Sequence, residues 1–275
     1  MNNNYLIKLK KAELEILDEI DRVCNKNNIQ YFLMFGTLLG AVRHDGFIPW
    51  DDDIDIGMLR DDYDKFIEIA PKELKGKFTL DYITTNKNYY MPFVKVRNSK
   101  TRFEEKSTIN YNGPKGIWVD IFPYNYCEYD KVNFYLKFKS KLLFLMYATL
   151  TYKNLHLNNN SFKVKLCSKL FSNKTIFNII DKLSVCNKKT EKIVYYNFRG
   201  LKHVVIFDKN EIFNVKKITF ENKKYYAPKH NQKVLEKLYG SDYMKLPPIE
   251  QRECHHPQRI VFEDGEVVDF ESEEG

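Results

Sequence analysis

Five aspartates fall within eleven residues of this 275-residue chain, at Asp45, Asp51, Asp52, Asp53 and Asp55, and the last two alternate with isoleucines as Asp53-Ile54-Asp55-Ile56. Along an extended strand successive side chains point to opposite faces, so Asp53 and Asp55 should project together while Ile54 and Ile56 enter a core. Carboxylates about 4 Å apart repel by roughly 1 kcal/mol in water and by several times that in a partly dry cleft. A hard divalent ion, Mg²⁺ or Mn²⁺, would turn that repulsion into binding. A solvated acidic turn would account for aspartates beside Gly46, Pro49 and Gly57, but not for the isoleucines between them.

A further acid stands inside the apolar run Ile117-Trp118-Val119-Asp120-Ile121-Phe122. A carboxylate there needs a partner, either an arginine or turn in a structural role or the same metal as Asp53 and Asp55. In Met91 to Arg97, Phe93, Lys95 and Arg97 share one strand face and Val94 and Val96 the other, so a lysine and an arginine stand side by side. Two carboxylates on one strand, a third on another and nearby basic residues suit metal-assisted phosphoryl transfer, with Arg43, Lys95 and Arg97 as candidate phosphate clamps.

Several elements must position these groups. Leu14, Leu17, Ile20, Val23 and Cys24 predict an amphipathic helix over residues 10 to 27, stopped at Asn27-Asn28. Tyr31 to Phe35 reads as a short strand running into Gly36-Thr37, followed by a helix over Leu38 to Arg43 capped by the threonine. Such a helix start favours phosphate. Tyr63, Phe66, Ile67 and Ala70 predict a helix closed by Pro71. Phe78 to Thr85, Met91 to Arg97 and Gly116 to Phe122 read as strands, Val204 to Asp208 as another, and Gln232 to Tyr239 as a helix ending at Gly240. The fold class is therefore α+β, with a mixed sheet flanked by helices. The expected division is a catalytic core over 1–130, a basic aromatic-rich helical insertion over 131–199, and a part over 200–275 that completes the site.

Composition narrows the class further. At 43% hydrophobic residues the chain can bury a sizeable core, and its net charge of +7 favours acidic or phosphorylated partners. That charge is concentrated between Lys131 and Lys189, where twelve lysines face one acid, Asp181. This segment is either a solvated helical face or a dock for an anionic surface, and the dock is the reading we favour. Five scattered cysteines without a C-x-x-C pair fit reduced thiols. Neither a secretory signal nor a membrane-spanning run is evident, so the expected location is cytoplasmic, at most peripheral at the inner face of the membrane.

The stretch from Phe35 through Gly36-Thr37 and Trp50-Asp51-Asp52-Asp53-Ile54-Asp55-Ile56 to Gly57 resembles the signature of the LicD family of phosphocholine transferases, which is itself similar to the fukutin-related proteins. Val94 to Arg97, Val119 to Pro123 and the blocks from Leu238 through Pro247-Pro248 to Arg252 and His255 resemble later parts of that family, so the likeness brackets residues 30 to 256. Residues 131 to 200 carry no matching motif. The resemblance implies a fold like the polymerase-β nucleotidyltransferases, with the turn at Gly36-Thr37 and metal ligands at Asp53, Asp55 and Asp120, the last of which could instead accept a proton. It also implies transfer of a phospho-alcohol, commonly phosphocholine, from a CDP-linked donor to a sugar hydroxyl of a surface glycan or lipid-linked precursor, releasing CMP. Arg43 and His44 would then meet the donor, and Arg252, His255 and His256 would close over the acceptor. A choline donor calls for an aromatic cage, for which Trp50 and Trp118 are the only tryptophans. Cys254 and His256 have zinc-like spacing but no second ligand pair. Two rivals are a nucleotidyltransferase acting from a nucleoside triphosphate, and a non-catalytic basic nucleic-acid-binding protein. The second leaves the acidic strand unexplained, and no nucleic acid is expected.

Overall fold

The computed structural model describes residues 4–157, 159–197, 204–252, 254–255 and 257–270. The chain opens with helix α1 (Asn4–Lys26), which lays Leu9, Ile16, Leu17, Ile20 and Val23 against the sheet and ends where Asn28 turns left-handed at φ 51°. Strand β1 (Tyr31–Leu33) leads into α2 (Phe35–His44), then β2 (Asp55–Leu59) into α3 (Arg60–Glu73). Helix α3 continues two residues past Pro71, which has no N–H to donate and so costs the ladder one hydrogen bond close to the end of the helix. Strands β3 (Phe78–Asp81), β4 (Val94–Asn98), β5 (Arg102–Glu105) and β6 (Trp118–Cys127) follow. Both β3 and β4 are shorter than their apolar runs suggested.

The lysine-rich segment forms α4 (Phe134–Leu155), α5 (Phe162–Leu170) and α6 (Asn173–Ser184), the last two started by serine caps at Ser161 and Ser172. The chain then returns to the sheet as β7 (Lys192–Tyr196) and β8 (Val204–Asp208). After α7 (Lys209–Phe213), β9 (Val215–Phe220) and β10 (Lys223–Pro228) make a hairpin, α8 (Asn231–Tyr239) ends at Gly240, and β11 (Pro257–Val261) and β12 (Val267–Asp269) close the described chain.

The fold is α+β, as the pattern of elements predicted. Its main sheet runs β1-β2-β6-β4-β3, and β6 also pairs with β7, which pairs with β8. β2 and β6 are parallel while β4 lies antiparallel to β6, which makes the sheet mixed. Every residue of β6 is buried, so this strand is the axis of the core. A smaller sheet, β12-β11-β5, ties the C-terminal strands to the main body.

Candidate active site

The register of the sheet brings distant acids together. Asp55 stands opposite Asp120 in the β2–β6 ladder, and Lys95 stands opposite Asp120 on its other side in β4. Residues in register on neighbouring strands project to the same face. Asp53 precedes β2 and is not part of it, yet Ile54 and Ile56 are fully buried and Asp51, Asp52, Asp53, Asp55 and Asp120 all line one cavity of about 460 Å³. Phe35, Phe93, Phe122, Tyr147, Tyr195 and Tyr239 give that cavity an aromatic wall.

The turn before α2 is shaped to approach these acids. Phe35 holds a left-handed φ of 47°, a conformation costly for a bulky residue and found where surrounding structure imposes it. A Cβ on Gly36 would come within 2.6 Å of the Asp51 carboxylate, so glycine is what lets that side chain pack against the turn. Thr37 does not cap the helix as expected. The cap position is Met34, and the Thr37 hydroxyl instead accepts the backbone N–H of Asp55 at 2.8 Å. Its hydrogen bond fixes the acid-bearing strand against the helix.

Crowding and burial raise the proton affinity of Asp51, Asp53 and Glu13. Burial, with the charges of Asp53 and Asp52 added, pushes Asp51 up to about 8. Asp53 is raised by burial and by Asp120 and Asp52, against the pull of His255 and Lys95, although one edge of it opens on the cavity. Glu13, buried on α1, is driven well above the usual carboxylate range by burial and by Asp53, Asp52 and Asp51. Burial opposes charge on His255, but its hydrogen bond to Asp52 and the fields of Asp53 and Asp52 prevail and lift it to about 9. The Asp52 carboxylate receives both the backbone N–H of His255 at 2.9 Å and its Nδ1 at 3.1 Å. An imidazolium thus faces the acid cavity at neutral pH.

The remaining predicted residues fall in different places. Lys95 Nζ pairs with Asp120 at 2.6 Å, and Arg97 pairs with Asp81 at 2.7 Å while donating to the carbonyl of Gly116. Both pairs are buried, and both cations lie over the ring of Trp118. Lys95, Arg97 and Trp118 line a second cavity of about 380 Å³ that shares Tyr147 and His255 with the first. Arg43 donates to the carbonyls of Tyr243 and Lys245 and to His44, whose pKa is lowered by burial and by Arg43 and Lys10. Arg252 stacks on Trp50 at 4.2 Å. Each tryptophan proposed for a choline cage therefore already carries a cation of the protein on its ring, and the acid cavity's aromatic wall is made of other residues. Cys254 lines the acid cavity, and His256 lies outside the described residues.

Glu13, Asp51, Asp52 and the aromatic wall were missed as site groups. Glu13 had a legible signal, since it sits in the buried helical stripe with Leu9, Ile16, Leu17 and Ile20, where an acid has no structural reason to be. The pairing of Asp52 with His255, 203 residues apart, had none.

Comparison with known proteins agrees with this architecture. Residues 28–139 match the family described as LicD/FKTN/FKRP, nucleotidyltransferase domain. The chain is 30% identical to the lipopolysaccharide cholinephosphotransferase LicD of Haemophilus influenzae over 261 residues, covering 90% of this chain and 95% of that one. This chain belongs to the LicD family. Two uncharacterised rickettsial proteins share shorter stretches with it, 46% identity over 70 residues in Rickettsia typhi and 41% over 80 in Rickettsia prowazekii, spanning 23% and 30% of their lengths. Among the described residues of this LicD-family chain, no three acid, cysteine or histidine groups are gathered closely enough to hold a metal ion. The donor chemistry still fits one: the cavity presents carboxylate oxygens, the ligands hard divalent cations take, and Asp51 and Asp53 are raised by burial first and then by neighbouring carboxylates, a repulsion such a cation would relieve.

Proposed function

We propose that this protein transfers phosphocholine from CDP-choline to a sugar hydroxyl of a lipopolysaccharide or its lipid-linked precursor, releasing CMP, in a reaction that requires Mg²⁺ or Mn²⁺. The observation that carries this reading is the meeting of Asp53, Asp55 and Asp120 on one aromatic-walled cavity in a chain that aligns almost end to end with a cholinephosphotransferase. Asp53, Asp55 and Asp120 line one cavity without standing at ligand spacing, so they would have to close on a divalent ion to hold it, and the ion would supply charge neutralisation for the two donor phosphates. The His255 ring, held by Asp52, lines the same cavity and would offer a hydrogen-bond donor to the phosphate that bears choline. The T-shaped contact of Phe35 with Phe122, the ring of Tyr195 against Phe35, and Phe93 beside Phe122 offer π faces suited to a quaternary ammonium. The acceptor oxygen attacks the choline-bearing phosphorus, the bond from that phosphorus to the CMP oxygen breaks with its electron pair leaving on CMP, and the hydroxyl proton passes to a carboxylate of the cavity.

The test is CMP release from CDP-choline with Mg²⁺ in the presence of lipopolysaccharide lacking phosphocholine. EDTA should stop it and added Mg²⁺ restore it, and Asp53→Asn should reduce it by at least about a hundredfold. Pyrophosphate release from CTP without turnover of any CDP-alcohol would replace this reading with nucleotidyl transfer.

A further inference from the structure

Helix α5 (Phe162–Leu170) packs by one side only. Val164 is its buried residue, and Lys153 of α4 holds its C-terminal end through the carbonyls of Ser168 and Phe171 at 2.8 and 2.9 Å. At about 100° per residue, Phe162, Leu166 and Leu170 fall within an arc of roughly 80° on the side opposite Val164. They are 77%, 44% and 64% exposed, a ridge of large apolar side chains along the whole helix. Lys163, Lys165 and Lys169 flank that ridge and are exposed. The first turns of α4 repeat the composition, with Phe134, Tyr135 and Phe138 exposed beside exposed Lys131 and Lys137.

Apolar ridges edged by lysines occur where a helix lies in a membrane interface, its hydrophobic residues at the acyl boundary and its ammonium groups among anionic headgroups. We propose that α5 docks this protein on the surface of an anionic lipid bilayer, inserting Phe162, Leu166 and Leu170 and placing Lys163, Lys165 and Lys169 among the headgroups. Charge complementarity selects this occupant. A second copy using the same face would bring like charges together, in a segment where twelve lysines face one acid. Nucleic acid would satisfy the lysines but has no use for two leucines, which offer no ring to stack on a base. Among the described residues no helix is long and apolar enough to cross a membrane, so contact through α5 is superficial.

The experiment is co-sedimentation of the full chain with vesicles of phosphatidylcholine alone or with added phosphatidylglycerol, at low salt. Wild type should sediment with the anionic vesicles, and Phe162→Ser with Leu166→Ser and Leu170→Ser should lower partitioning at least tenfold. Each of Lys163→Gln, Lys165→Gln and Lys169→Gln should weaken it about fivefold. Phe162→Trp should shift its fluorescence to the blue on those vesicles, which reports insertion and not charge attraction alone. Unchanged sedimentation of the triple serine variant, the absence of that blue shift, or retention on RNA that matches retention on vesicles and ignores the ridge would each overturn the proposal. None of these readouts depends on catalysis.

Discussion

Replacing Lys95 by methionine separates structure from chemistry at the centre of the site. Lys95 Nζ lies 2.6 Å from Asp120 Oδ1, each side chain only 4% exposed, and the same ammonium lowers the proton affinity of Asp53. Methionine keeps most of the volume over Trp118 but leaves Asp120 as a buried carboxylate stripped of this cation. Breaking a buried pair by removing one member costs about 3–5 kcal/mol, whereas neutralising both members of such a pair can be nearly free. At roughly 2–3 °C per kcal/mol for a chain of this length, Lys95→Met should lower the Tm by about 6–15 °C in EDTA. Asp120→Asn should destabilise by a similar amount, and the double variant should recover all but about 1–2 kcal/mol, giving a coupling energy of at least about 4 kcal/mol. Transfer activity should follow a different course, lost in Asp120→Asn and still lost in the refolded-to-stability double variant. The assay is thermal unfolding by circular dichroism alongside CMP release. A Lys95→Met Tm within 2 °C of wild type, or strictly additive effects in the double variant, would refute the buried-pair argument.

Two other outcomes follow from the same cleft. Asp51 and Asp53 bind protons more tightly in the folded protein than in the unfolded chain, and so does His255. Raised carboxylates lose stability as pH climbs above their unfolded value near 4, and a raised histidine loses its contribution between its unfolded value near 6.5 and about 9, so both act in one direction. Metal-free protein should therefore become less stable from about pH 4 to pH 9, and saturating Mg²⁺ should flatten that slope in urea titrations. Gly36→Ala should fold, since its φ is not left-handed, while its Cβ displaces the Asp51 carboxylate. Its kcat/KM for CDP-choline should fall at least tenfold with the Tm changed by no more than about 3 °C.

The acids were legible because strands write themselves in a two-residue period. Asp55 among isoleucines, and Asp120 among tryptophan, valine and isoleucine, could be seen as charges on buried strands, whereas Asp53, expected on the same strand as Asp55, stands just before β2. What the pattern could not supply was register. Lys95 and Arg97 read as a pair of phosphate clamps until β4 is set beside β6 and β3, where their charges meet Asp120 and Asp81. The Thr37 hydroxyl looked like a cap because caps are local, and its real partner, the Asp55 amide, is 18 residues away. Trp50 and Trp118 suggested a cage by their nearness to acids in sequence, whereas the cavity recruits Tyr147, Tyr195 and Tyr239 from three elements of the later chain.

Strand β6 also governs how the molecule comes to exist. Strands β2 and β4 are synthesised earlier, and each meets β6 along one edge, so the later strand must slot between them before the sheet has a middle. Closing such distant segments is entropically slow, and it rewards the chain only once all three are together. Asp55 and Asp120 become neighbours in that same event. A nascent or half-assembled chain consequently has the aspartates at 51, 52, 53 and 55 without Asp120 beside them, and capture of a divalent ion that needs both would report completion of the folded core.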